Sequence, residues 1–426
     1  MRVINKPSKN QWKQLLERPY VDNSTVLNSV KEILKSVEKG RDGTLKELTK
    51  KFERALLTEL KVSEEELANA EKMVPGELKT AIQQAKENIS RFHQAQVRQE
   101  ERIETMPGVE CWRKSIGIEK VGLYIPGGTA PLFSTVLMLA IPAVIAGCKE
   151  IILCTPCNEE GDVHPAILYT AKLVGVNKIF KIGGAQAIAA MAYGTESVPA
   201  VYKIFGPGNQ YVTAAKQLVQ MQGIAIDMPA GPSEVCVWAD ETANPSFVAA
   251  DLLSQAEHGP DSQVLLVSTQ AEVIDKVIEE VNRQVQMLPR KDTALKALEN
   301  SKAIILENSD TAMDMINTYA PEHLILCCCD ADQVAERITN AGSVFIGHYS
   351  PESVGDYASG TNHTLPTNGF ANAYSGVSVD SFVKKITYQK LSKEGLASIS
   401  NTVVQMAEAE GLEAHAQAVR VRMQQN

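Results

Sequence analysis

Between Lys120 and Cys154 the chain reads KVGLYIPGGTAPLFSTVLMLAIPAVIAGCKEIILC. VGLYI is a short apolar run that Pro126-Gly127-Gly128 interrupts. The segment Thr135 to Gly147 that follows is apolar all round, but it is short and contains Pro142, so it suits a buried core helix better than a membrane span. EIILC is a second apolar run of strand length. KIFKI and VYKIF repeat the pattern, each closed by a Gly- or Pro-marked turn before a helical stretch, which is the βαβ signature of a parallel sheet. A second series, QVLLVS, KAIILEN, HLILCC and GSVFIG, alternates with helical segments such as AEVIDKVIEEVNRQV. The expected fold is therefore α/β, with two Rossmann-like parallel-sheet lobes. The expected boundaries are a helical N-terminal region (1–118) packing on the second lobe, a first lobe (119–240) and a second lobe (241–380). A C-terminal helical tail (381–426) completes the chain. Within the N-terminal region, residues 25–100 read as long amphipathic helices, one of them closing on Gly40.

A chain of 426 residues is too long for one ordinary core, which agrees with two lobes. The net charge of −9 and the lack of a Lys/Arg cluster argue against nucleic acid as a partner. The start, MRVINKPSKNQWKQLLERP, lacks the apolar core of a signal peptide, so a cytoplasmic protein with no membrane partner is expected. Cys154-Thr-Pro-Cys157 has no matching second pair, and Cys327, Cys328 and Cys329 are consecutive. These cysteines read as reduced structural residues rather than a zinc ribbon.

Pro126-Gly127-Gly128, Gly183-Gly184-Ala185-Gln186 and Gly206-Pro207-Gly208-Asn209 follow expected strands and precede helices. In an open parallel sheet such ends line the ligand crevice, and three in one lobe favour a small-molecule site. None is the G-x-G-x-x-G dinucleotide fingerprint. The seven histidines divide by context. His93 and His164 read as surface residues and His348 as structural or rim. His258, His323, His363 and His415 lie in polar, Gly-rich segments. Gln255 and His258 stand three residues apart at the closing turn of a helix, on one face. With Asp356 and Glu410 as further oxygen donors, a divalent metal site and a set of unrelated caps and turns both remain open. Glu322-His323 falls between a helix end and a strand start, where a carboxylate and an imidazole can both face one pocket.

Several motifs then converge. VGLYIPGGTAPL, PAVIAGC, KIGGAQAIAAMAYGT, KIFGPGNQYVTAAK, DMPAGPSEV, SQAEHGPDSQ, YAPEHL, GDYASGTNH and EGLEAHAQAVRVR occur in the order found in the histidinol dehydrogenase family, from Val121 to Arg422. The resemblance implies a zinc-dependent, four-electron oxidation of L-histidinol to L-histidine through histidinal, with reduction of two NAD, in the last steps of histidine biosynthesis. Carried over by position, it implies zinc ligands at Gln255, His258, Asp356 and His415, and base and acid groups at Glu322 and His323. Substrate contacts fall on Ser233, His363 and Glu410, together with His323 and the zinc shell; NAD contacts fall on Tyr124, Gln186 and Asn209. Thr361 and Phe133 stand where the family often has proline, and Thr361 could shift the loop carrying Asp356 and His363.

The same resemblance implies an intertwined homodimer, in which the tail carrying Glu410 and His415 completes the partner's site. A covalent thiohemiacetal route would need an activated thiol. Cys236, in the apolar run VCVWA, reads as strand core instead. A zinc hydrolase on the same ligands, or a non-catalytic ligand-binding relative, are the rival functions. The first would need no NAD, and the second would dispense with the Glu322-His323 pair.

Overall fold

The computed structural model describes residues 1–18, 24–127, 130–228 and 231–424. It divides into two compact units, Met1–Gln96 with Ile118–Phe382, and Val97–Gly117 with Val383–Asn426. The first unit holds both expected lobes. One sheet contains β4 (Lys120–Tyr124), β5 (Glu150–Thr155), β6 (Lys178–Lys181), β7 (Lys203–Phe205) and β8 (Ala225–Ile226), in the order β6-β5-β4-β7-β8. The other contains β1 (Arg2–Asn5), β9 (Glu234–Ala239), β10 (Gln263–Ser268), β11 (Lys302–Ile305), β12 (His323–Cys327) and β13 (Ser343–Ile346), in the order β1-β11-β10-β9-β12-β13. All the pairings in both sheets are parallel. With the edge strand β1 set aside, each sheet runs 3-2-1-4-5 in its own chain order, the doubly wound arrangement.

The N-terminal region departs from expectation. Helix Ser24–Phe52 lays Val26, Val30, Leu34 and Val37 against Tyr124, Ile188 and Val212 of the first lobe. Helix Gly76–Gln94 packs on the apolar helix Phe133–Ile145 of that lobe, and helix Glu64–Met73 packs on Pro165–Leu173. Spacings of three and four put these apolar residues on one stripe, and the first lobe offers the matching surface. The second lobe instead takes β1, which pairs with β11, and the short helix Lys9–Leu15, whose Trp12 enters its core. The boundary at residue 240 is also corrected, because β9 lies at the centre of the second sheet. Gly40 does not end its helix; the chain kinks at Arg41, with φ 50°, and resumes. Among the described residues, no helix is long and apolar enough to cross a membrane.

The second unit contains a sheet that the reading of a purely helical tail missed. β2 (Arg102–Met106), β3 (Val109–Gly117) and β14 (Val383–Leu391) pair antiparallel in the order β14-β3-β2. VECWRKSIG and VKKITYQKL mix β-branched and aromatic residues with charges at short period, and Trp112 stacks on Tyr388 at 5.3 Å. Helices Lys393–Ala409 and Glu413–Met423 then pair with each other. They bury little besides Gly395, Ala407 and Ala416.

Candidate active site

In the first lobe the chain leaves β4 to one side for β5 and returns to the other side for β7, so the crevice opens between the C-terminal ends of β4 and β7. Tyr124 ends β4, and its buried hydroxyl accepts the N–H of Gly184 at 3.1 Å. Burial pushes that phenol up to about 12. Gln186 lies two residues on, in helix Gly184–Tyr193, and is buried. Asn209 is exposed and accepts from the N–H groups of Tyr211 and Val212, so its oxygen caps helix Gln210–Gln220. Gly206 has φ +129°, and a Cβ there would lie 2.1 Å from the Tyr124 carbonyl oxygen. Lys216 donates to the Gly206 carbonyl while Asp227 accepts its N–H, and Lys216 and Asp227 are themselves an ion pair. The turns that precede Gln186 and Asn209 thus both meet Tyr124 at the end of β4, through Gly184 and Gly206. Gly128, also expected there, lies outside the described residues.

Glu53 supports this face from behind. Its carboxylate accepts the Gly183 N–H at 2.9 Å at the start of the helix carrying Gln186, and burial pushes its pKa up to about 7. The folded state therefore holds a proton between about pH 4.5 and 7 that the unfolded chain has released. Stability from this group falls as pH rises through that window and is level above it. Glu53→Gln keeps the acceptor and removes the charge. Its melting temperature should gain on the wild type as pH is raised from 5 to 8, by an amount on the order of 2 kcal/mol in stability. A difference that stays constant with pH would refute the shifted carboxyl.

In the second lobe the candidate catalytic groups gather at the N-terminal ends of β9 and β12, opposite the edge where open sheets usually bind ligands. Helix Ser309–Tyr319 ends on Ala320 at φ 50°, and the chain turns through Pro321 into Glu322 and β12. Both members of the pair are buried. The main chain of Glu234 holds them. Its N–H donates to Glu322 Oε2 at 3.0 Å, and its carbonyl faces His323 Nδ1 at 3.3 Å. A carbonyl can only accept, so Nδ1 carries the hydrogen and Nε2 is the face with the mobile proton. Nε2 is buried without a hydrogen-bond partner among the described residues and lies 3.6 Å from Asp356 Oδ1, too far for a hydrogen bond. Burial alone would lower the His323 pKa, but the carboxylates of Glu322, Glu352 and Asp356 prevail and raise it to about 10. Burial raises Glu322 to about 7.

Three of the four candidate metal donors lie in the same unit as this pair. Helix Pro245–Ala256 ends by presenting Gln255, which is buried, and His258, which is exposed. Asp356 sits in helix Glu352–Tyr357, packed against the first helix. Its charge acts on both His258 and His363. Burial would raise the Asp356 carboxyl, but the imidazoles of His323, His363 and His258 hold it below its ordinary value. His363 bridges the lobes: Nδ1 lies 2.9 Å from the Asp356 carbonyl, and Nε2 lies 3.1 Å from Thr135 Oγ1 in the helix after β4. The Thr361 hydroxyl lies 3.2 Å from that of Ser359, and Phe133 opens the helix that carries Thr135. An amide oxygen, an imidazole and a carboxylate, the last of them 3.6 Å from the buried Nε2 of His323, are a donor set suited to a borderline divalent cation.

Ser233 lies just before β9, with its carbonyl bonded to the Gln263 N–H. Glu410 and His415 belong to the second unit, at the junction of its two helices, and both are exposed in the single chain. Cys236 is fully buried in β9, and burial pushes its thiol up, which disfavours a thiolate nucleophile. Asp240, Cys329 and Asp330 approach within 4.8 Å at the other end of β9 and β12, but the Asp240 carboxylate is already bonded to Thr242 and to the Cys329 N–H. His93 corrects the surface reading: it is buried, with Nδ1 against the Ile89 carbonyl, one turn back on its helix. Sequence reasoning missed Glu352, Asp251 and Glu234. The first two had a signal, since Glu352 lies four residues before Asp356 and Asp251 four before Gln255, on the same helix faces.

A histidinol dehydrogenase family profile matches residues 16–423. A histidinol dehydrogenase of Bacteroides fragilis (strain YCH46) is 59% identical over 425 residues, covering 100% of this chain and 99% of the relative. One of Vibrio parahaemolyticus is 50% identical, covering 98% and 96%. The crystal structure of histidinol dehydrogenase from Elizabethkingia anophelis superimposes with a TM-score of 0.97 at 53% identity, covering 99% of this chain and 98% of that one.

Proposed function

As this chain belongs to the histidinol dehydrogenase family, an oxidoreductase family, we propose that it oxidises L-histidinol to L-histidine through histidinal, reducing two NAD and consuming one water. The observation that carries this reading is His363. Bonded to the Asp356 carbonyl on one side and to Thr135 on the other, it sets the carboxylate and imidazole cluster beside the helix that follows Tyr124. Chemistry at Glu322 and His323 therefore lies next to the crevice suited to a dinucleotide. Histidine biosynthesis in the cytoplasm is the setting this implies.

Zinc held by Gln255, His258, Asp356 and His415 would anchor and orient the imidazole and amine of the substrate, and NAD held near Tyr124, Gln186 and Asn209 would accept the hydride. The chain's own groups do the proton work. His323, with Nδ1–H given to Glu234, uses Nε2 to take the hydroxyl proton as the first hydride leaves the alcohol carbon. With Asp356 serving as a metal ligand, one fewer carboxylate would be free to hold the Nε2 proton, and His323 would favour its neutral form. Glu322, beside it at 3.6 Å, deprotonates the water that adds to the aldehyde, and a carboxyl with a pKa of about 7 suits that task near neutral pH. As the water adds, His323 returns its proton to the carbonyl oxygen. Neutral again, it takes a hydroxyl proton of the hydrate as the second hydride passes to the second NAD, and the protons leave to solvent. Ser233, His363 and Glu410 complete the substrate contacts, with Glu410 and His415 supplied by the tail of a partner subunit.

The test is NADH formation from histidinol by purified protein, with and without a chelator. Two NADH per histidinol, lost on chelation and restored by zinc, is the expected result. NADH formation in a verified metal-free sample would remove zinc from the reading. No NADH from the zinc-loaded protein would leave a hydrolase or a non-catalytic relative.

A further inference from the structure

Glu352 transfers no proton in the chemistry above and acts on His323 only through its charge, yet it is an acidic side chain with only 1% of its surface exposed. Burying an ionisable group there is costly unless a specific interaction recovers the loss. The interaction is with Gln255, itself 0% exposed. When the Gln255 amide turns its nitrogen towards Glu352, that nitrogen donates to Oε1 at 2.7 Å and to Oε2 at 3.2 Å. With Glu352 ionised, the form that the neighbouring His323 imidazolium favours, the opposite orientation would press the amide oxygen against two carboxylate oxygens. An amide has one oxygen, on the side away from its NH2. Anchoring the nitrogen therefore fixes where the oxygen looks.

The two helices make a ladder of this contact. Gln255 and His258 are one turn apart at the end of helix Pro245–Ala256, and Glu352 and Asp356 are one turn apart on helix Glu352–Tyr357, which packs against it. One rung joins Glu352 to Gln255. On the next, the Asp356 carboxylate acts on His258. The buried rung sits behind the donors assigned to zinc.

We propose that Glu352 is a positioning residue that holds the Gln255 amide with its oxygen, and not its nitrogen, presented to the metal. The proposal rests on the zinc reading given above. An NH2 group has no lone pair to offer a cation, so an amide free to turn would be a donor for only part of the time. Groups that orient ligands from behind the first contacts are typically worth about 10–100-fold in metal affinity.

The experiment is zinc affinity of the metal-stripped full-length protein, measured by competition with a chromophoric chelator, for wild type, Glu352→Met, Gln255→Ala and the double variant. Glu352→Met keeps the volume and removes the acceptor. It should weaken zinc about 10–100-fold, while on the Gln255→Ala background the same change should cost little further. Wild-type affinity in Glu352→Met overturns the proposal. So does an undiminished loss on the Gln255→Ala background, because Glu352 would then act on the cation by charge and not through the amide. If the wild type and Gln255→Ala bind zinc equally, Gln255 is not a ligand, and the zinc reading itself fails at that position. Should Glu352→Met not fold, the side-chain amide protons of Gln255 in glutamine-labelled, metal-free wild type decide the matter. They should be shifted and protected from exchange by a bond to carboxylate, and rapid exchange with water overturns the proposal.

Discussion

Glu322→Gln is expected to release the first NADH at close to the wild-type rate and to slow the second by about 10²–10⁴-fold, the usual worth of a general base. The amide oxygen of a glutamine can still accept the Glu234 N–H that holds the side chain at 3.0 Å, so the shape of the site survives. What it loses is the capacity to take a proton from water. His323, which keeps its own bond to the Glu234 carbonyl, remains able to serve the alcohol step. The measurement is a rapid-mixing trace of NADH absorbance with enzyme in excess over histidinol, repeated with histidinal. Wild type should give two equivalents in quick succession, and the variant one fast and one slow. With histidinal, only the slow phase should appear. Equal slowing of both equivalents, or a smaller loss on histidinal than on histidinol, would mean that Glu322 does not act on the hydration water.

The two lobes were legible because each depends on local pattern: apolar runs of strand length, Gly-marked turns and intervening amphipathic helices, repeated often enough to exclude accident. Glu322-His323 was legible for a similar reason, since Tyr319-Ala-Pro321 announces a helix end just before HLILC. The partners of that pair were not. Glu234 holds both residues through its main chain, and no side-chain pattern encodes which carbonyl a neighbouring strand will offer. Glu352 and Asp251 were passed over because a lone acid in a helix reads as a solvated face, whereas tertiary packing buries these two and pushes both carboxyls up, Glu352 to about 8 and Asp251 to about 7. The antiparallel sheet of the second unit was missed for another reason. β3 and β14 lie far apart in sequence, and neither strand alone has enough apolar residues to stand out from the charged segments around it. The side on which the N-terminal helices pack was equally invisible, since an amphipathic stripe states that a face is buried and not against what.

Mixing two inactive variants should restore activity. Take His323→Ala, which removes the proposed base, and His415→Ala, which removes the tail's proposed donor. Each alone should lose at least about 10²-fold in turnover. The second unit gives the reason to expect exchange of tails: its two helices bury little of their own, and Glu410 and His415 are exposed within a single chain. If they are the ligand and the substrate contact proposed above, they need a site to complete. If each tail serves the partner, a heterodimer of the two variants gathers both lesions in one site and leaves the other with an intact His323 and an intact His415. About half of the wild-type activity per dimer should then appear, because one of two symmetry-related sites is whole. If each tail serves its own chain, every site keeps one lesion and the heterodimer is as inactive as its parents. Co-expression with two different affinity tags and purification through both isolates the heterodimer. Singly tagged homodimers taken from the same cells set the baseline, and a heterodimer whose NADH production stays at that baseline would show that the site is built within one chain.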